Sequence, residues 1–231
     1  MPPRPARIPV LTRELIAAAY PSPAADDGGK IPLRSDAELA RLLDATLRDG
    51  GVGEEVWLFA YGSLLWKPEI EFAEHRFATV RGWHRRFCLW QRRYRGTHGK
   101  PNLMLALDRG GACKGIAYRV TGPDVVTKLR AVWEREMVAY GYVARWLTAE
   151  TETGRIKTLA FVANHGGERY AGRLSHETVA RHIAEACGHV GPGAEYLCEA
   201  VLRLEELGIH DRALWDLQAL VAERLGASKP R

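Results

Sequence analysis

A carboxylate on the apolar face of a helix is the residue here best placed to do chemistry. Residues 123–138 read as a helix, and at about 100° per residue Val125, Leu129, Val132, Trp133 and Glu136 share one stripe. Glu134 falls on the opposite face and Arg135 on the flank. A carboxylate turned toward a core is costly unless it is paired or tuned. Desolvation raises its pKa, which would make Glu136 a usable general base near neutral pH. A buried ion pair with one of the many arginines is the structural alternative.

The second feature is the stretch from Val56 to Trp66. It opens as a Val- and aromatic-rich run, the pattern of a buried strand, and breaks at Gly62-Ser63. Backbone N–H groups at such a turn are fixed donors that hold a carboxylate or a developing oxyanion without reorganising. An ordinary strand end is the alternative. Ser63 is a weak candidate nucleophile. An elbow needs Gly-x-Ser-x-Gly between strand and helix, and only the preceding glycine is present.

A third stretch, Trp83 to Arg95, interleaves basic residues with aromatics. That is the pattern of a single-stranded nucleic-acid surface, with salt-sensitive affinity. It is equally a strand pair with aromatics facing the core and arginines facing water. The eight histidines are scattered, without His-Glu-x-x-His, and none of the four cysteines forms Cys-x-x-Cys. Neither a metal site nor a disulfide framework is expected, and a reducing cytoplasm fits best.

These residues must be positioned by a globular chain. Its 231 residues, 46% hydrophobic and 26% charged, suffice for a substantial core. No apolar run approaches a membrane span, and Met1–Arg13 has no apolar signal region. The net charge of +5 is mild and compatible with small anionic substrates.

Breakers punctuate the first 30 residues, with a short helix expected at Arg13–Ala19. Ser35 and Glu38 have capping-box spacing before a helix that ends at Gly50-Gly51. Strands are expected at 56–61, 76–83, 85–91, 102–107, 112–120, 142–150 and 156–163. Three tail helices follow, one capped by Ser175 and running to Cys187, one begun by Pro192, and one capped by Asp211. Strands first and helices last predict an α+β fold whose sheet curls into a barrel. Residues 1–54 read as an arm packed on a main domain at 55–225.

The run Val56–Trp66 closely resembles the opening motif of the ChaC-like gamma-glutamylcyclotransferases. The resemblance continues through Arg85-Arg86-Phe87, Tyr94-Arg95-Gly96-Thr97, Lys100-Pro101, Gly115–Arg119, Arg135-Glu136-Met137 and Glu195-Tyr196-Leu197. It covers about 55–225 and leaves out only the arm. It implies a small mixed β-barrel with flanking helices and a helical C-terminal part. The implied activity cleaves gamma-glutamyl peptides, notably glutathione, by cyclisation to 5-oxoproline without metal or cofactor. The family's catalytic glutamate falls on Glu136, and its substrate-gripping loop on Tyr61, Gly62, Ser63 and Leu64. In such an enzyme Arg95 would attract a substrate carboxylate, and Tyr61 and Tyr196 would donate hydrogen bonds. Other gamma-glutamyl amines or amino acids are the alternative substrates. Neither nucleic acid nor membrane is then an expected partner. Two departures stand out: Ala60 replaces a frequent glycine, and the segment reads His98-Gly99-Lys100-Pro101-Asn102 where many relatives have another Pro and a Gly.

Overall fold

The computed structural model describes residues 10–25 and 30–227, which form two compact units. One holds residues 31–89 and 104–172 and contains a closed barrel. Its strands are β1 (Glu55–Ala60), β2 (Glu74–Gln91), β3 (Asn102–Thr121), β4 (Tyr142–Thr151) and β5 (Gly154–Ala163), in the order β1-β3-β2-β4-β5. The ends of β2 and β3 beyond Leu89 and before Met104 belong to the second unit. Most pairings are antiparallel, as in Glu55↔Thr121 to Ala60↔Ile116 and Tyr142↔Ala163 to Thr151↔Gly154. Two parallel contacts, Leu58↔Leu159 and Leu107↔Val162, close the barrel and make it mixed, as the resemblance implies.

Five strands stand where the sequence pattern predicts seven. The stretches 76–83 and 85–91 are one strand bent at Gly82 (φ 78°), and 102–107 and 112–120 are one strand bent at Gly110 and Gly111 (φ 103° and 67°). A positive φ is open to glycine at little cost, so these residues bend a ladder without ending it. Trp57, Phe59 and Tyr61 alternate into the barrel, against Val80, Leu107, Ala117, Ala160 and Val162.

Two helices belong to this unit, α2 (Asp36–Gly50) and α3 (Val125–Met137), while α1 (Arg13–Ala19) belongs to the second. Ser35 Oγ caps α2 by accepting from Glu38 N–H at 3.3 Å, and Gly51 ends it at φ 64°. The α2 segment holds the C-terminal end of α3. Arg34 N–H donates to Val138 O at 2.8 Å, and its guanidinium donates to Met137 O and, at 3.0 Å, to Ala139 O. Trp133 Nε1 donates to Leu39 O at 3.0 Å. The Arg34 bonds occupy carbonyls that the end of α3 leaves open, and they place a cation there.

The second unit holds the described parts of residues 1–30, 90–103 and 173–231. Here α1 packs with α4 (His176–Glu185), α5 (Gly193–Glu206) and α6 (Arg212–Ala227) in a helical cluster. Ser175 and Asp211 cap α4 and α6 as their positions predict. However, α4 stops at Glu185, because Ala186 is extended and Cys187–Gly188 pairs with Gly191–Pro192. Among the described residues, no helix is long and apolar enough to cross a membrane, and no three metal-ligating side chains cluster.

Candidate active site

Strand β1 carries Tyr61 to one end of the barrel, where three bonds fix the chain. The Tyr61 hydroxyl donates to Phe161 O at 2.6 Å, and Tyr61 O accepts from Arg85 Nε at 3.0 Å. Arg85, only 5% exposed, also donates to Lys114 O. Strand β3 presses close here: a Cβ on Gly115 would lie 2.2 Å from Ala60 O, so only glycine fits.

Beyond Tyr61 the chain makes a 3-10 turn over Ser63–Leu65, anchored by buried Leu64 and Leu65. Leu65 N–H donates to Gly62 O at 2.8 Å, and Lys67 N–H to Ser63 O at 2.8 Å. The amides of Gly62, Ser63 and Leu64 precede these bonds, and none of them donates to a described residue. The turn therefore presents a set of unused donors.

Glu136 comes from the last turn of α3, with its side chain 12% exposed. Met137, one position on, completes the buried stripe, so Glu136 lies at its edge. Oε1 faces Arg135 Nε and Nη2, both at 3.0 Å. Oε2 has no partner among the described residues. Burial raises the Glu136 pKa, the Arg135 cation pulls it back, and the Glu69 carboxylate pushes it up again; the net direction is upward. The carboxylate is thus ion-paired, as the structural alternative has it, and is also held above its ordinary pKa by burial.

Arg135 ties this carboxylate to the turn. Nη2 donates to Ser63 Oγ at 3.1 Å, and Nη1 donates to Lys67 O at 2.9 Å and Glu69 Oε2 at 2.7 Å. Glu69 also takes Lys67 Nζ at 2.9 Å and has φ 50°, an unusual backbone for a non-glycine residue. Sequence reasoning left Arg135 on the helix flank and did not single out Glu69. Their pairing depends on a long-range contact that periodicity does not encode.

The family model for ChaC-like proteins matches residues 56–224. The chain belongs to the ChaC-like family. It is 36% identical over 199 residues to the glutathione-specific gamma-glutamylcyclotransferase of Escherichia coli K12, covering 86% of each chain. It is 33% identical over 155 residues to the human glutathione-specific gamma-glutamylcyclotransferase 1, covering 65% of this chain and 70% of that one. A crystal structure of the glutathione-specific enzyme from yeast has the same fold, with a TM-score of 0.68 at 19% identity over 74% of this chain and 97% of that one.

In this ChaC-like protein, Tyr61, Gly62, Ser63, Leu64 and Glu136 share the barrel unit, and Arg135 links the turn to the carboxylate. The Tyr61 hydroxyl proton is already committed to Phe161 O, so Tyr61 anchors the turn. Arg95 and Tyr196 belong to the helical unit. There Arg95 donates to Pro192 O at 3.1 Å and pairs with Glu195, and Tyr196 is half-buried in the first turn of α5. The basic–aromatic stretch is built inward: Phe87 and Leu89 are buried, Arg85 holds backbone carbonyls, and Arg86 pairs with Asp108.

Proposed function

We propose that this protein is a gamma-glutamylcyclotransferase that converts glutathione to 5-oxoproline and Cys-Gly. The observation that carries the reading is the junction of two opposite surfaces. A carboxylate with a raised pKa and one open oxygen stands beside a turn of unused donors. A gamma-glutamyl group carries a matching pair, an α-ammonium and anionic oxygens.

The nucleophile is the substrate's own α-amine, tethered to the γ-carbonyl it attacks. The protein selects the folded conformer and manages protons. Glu136 Oε2 takes a proton from the α-ammonium. The freed amine adds to the γ-carbonyl, and the turn amides hold a substrate carboxylate or the oxyanion that develops. The tetrahedral carbon then expels the amine of Cys-Gly as Glu136 returns a proton to it, and the ring nitrogen's second proton follows through the same carboxylate, so two protons pass from the α-ammonium to the departing amine. One amide forms and another breaks. No water is consumed and no electrons are transferred. A reducing cytoplasm suits the substrate, and all four cysteines are free thiols.

Purified full-length protein incubated with reduced glutathione should release 5-oxoproline and Cys-Gly in equal amounts by mass spectrometry. Glutathione acetylated on its α-amine should stay intact, because its nucleophile is blocked. Turnover of the acetylated compound would overturn the reading. Intact glutathione beside cleavage of another gamma-glutamyl amine would replace the substrate and keep the reaction.

A further inference from the structure

The reaction above requires two things to hold still together: the base on α3 and the donors on the turn after β1. They come from segments more than 70 residues apart, and one side chain spans them. A guanidinium offers five N–H donors in a rigid plane. Arg135 directs Nε and Nη2 to Glu136, Nη2 also to Ser63 Oγ, and Nη1 to Lys67 O and Glu69.

We propose that Arg135 is a positioning residue, one that locks Glu136 and the Ser63 turn into a single body and decides which of their atoms face substrate. This rests on the cyclotransferase reading. Two consequences follow from the geometry. First, Arg135 occupies Oε1 of Glu136, so Oε2 is the oxygen left for the substrate ammonium. Second, Ser63 Oγ accepts from Arg135, so its own proton points away from the guanidinium. Ser63 thereby joins the amides of Gly62, Ser63 and Leu64 as a further donor. The turn becomes a surface of donors that selects an anionic group over the ammonium, and the substrate is oriented with its amine toward Glu136.

The charged groups around Glu136 are Arg135 on its own helix and Glu69 from the turn segment, with Lys67 paired to Glu69. Removing the Arg135 cation leaves a buried carboxylate beside Glu69. Its protonated form is then favoured, so the acid limb of activity moves to higher pH. An opposite charge at this range moves a carboxylate by about 1–3 pH units.

The test compares wild type, Arg135→Met and Arg135→Lys in full-length protein. It uses kcat/KM profiles with glutathione and the pH titration of the Glu136 side-chain carbon by NMR, which needs no turnover. Arg135→Met should raise the Glu136 midpoint by about one unit or more and lower kcat by about 10²-fold through misplacement. Arg135→Lys keeps the charge but not the fork. Its midpoint should stay near wild type while kcat falls. In a folded Arg135→Met protein, an unmoved NMR midpoint or an unchanged kcat would overturn the proposal. Failure of the wild type to form 5-oxoproline would instead count against the cyclotransferase reading, and the NMR midpoints would still test the contact.

Discussion

Glu136→Gln is expected to lower kcat by about 10²–10⁴-fold, the range for losing a general base, in a protein that keeps its fold. The amide preserves the acceptor that faces Arg135 but cannot take a proton from the substrate ammonium. Burial has raised the carboxyl's pKa, so in the wild type kcat/KM should climb with pH through a midpoint above the ordinary carboxylate range. That limb should vanish from the residual activity of the variant. Stability should move the other way. A carboxyl whose folded pKa is raised binds its proton more tightly when folded, so it costs stability above its unfolded pKa. Glu136→Gln removes that cost, and its Tm at pH 7 should equal or exceed the wild type's. A folded variant with near-normal kcat would contradict the assignment, and a large fall in Tm would contradict the energetic argument.

Asp108→Ala is expected to have the largest effect on stability. Asp108 is 4% exposed at the barrel end and gathers four partners. His165 Nε2 lies 2.6 Å from Oδ1, the Tyr170 hydroxyl is 3.2 Å from both oxygens, and Arg86 Nη1 donates at 3.0 Å. Arg109 N–H donates to Oδ1 at 2.9 Å. Arg86 also donates to Gly172 O at 3.2 Å, and Ala171 N–H to Cys88 O at 2.8 Å, so the network pins the segment after β5 against β2. Truncation leaves the half-buried Arg86 cation without its carboxylate and His165 and Tyr170 without their shared partner. Breaking such a pair costs about 3–5 kcal/mol, or roughly 6–20 °C in Tm for a chain of this size.

The pH dependence gives that expectation a sign. Burial alone pushes Asp108 up, but His165, the Arg109 amide, Tyr170 and Arg86 outweigh it and hold the carboxyl below its usual value. A lowered folded pKa contributes stability above the unfolded pKa, which is lost as pH falls through the folded value. The gap in Tm between wild type and Asp108→Ala should therefore be widest near neutrality and narrow below about pH 4. Thermal scans across that range check both parts. A gap of only a degree or two at pH 7, or one that persists unchanged in acid, would contradict the argument.

The two features that make up the candidate site were legible because each is local. Helical periodicity alone turns Glu136 toward the core, and an apolar run broken at Gly62-Ser63 alone ends a strand in a donor-rich turn. The caps at Ser35, Ser175 and Asp211 are local in the same way, and each forms. What the pattern missed depends on distant partners or on glycine. The breaks expected at residue 84 and over 108–111 do not form, because Gly82, Gly110 and Gly111 bend continuous strands at positive φ without ending them. The Arg135 contacts to Ser63 and Glu69, like the Asp108 network, join residues that only the closed barrel brings together. The same holds for Arg85 and Arg86, which look like a solvated basic face in sequence and bond inward in the structure.

The central claim is that the substrate cleaves itself, with Glu136 moving the protons. Incubation of the wild-type protein with reduced glutathione in water enriched in oxygen-18 tests it most directly, with both products read by mass. Cyclisation predicts 5-oxoproline with no label beside an equal amount of unlabelled Cys-Gly, because water takes no part. Glutamate carrying one oxygen-18 would mean that water is the nucleophile, and would contradict the account.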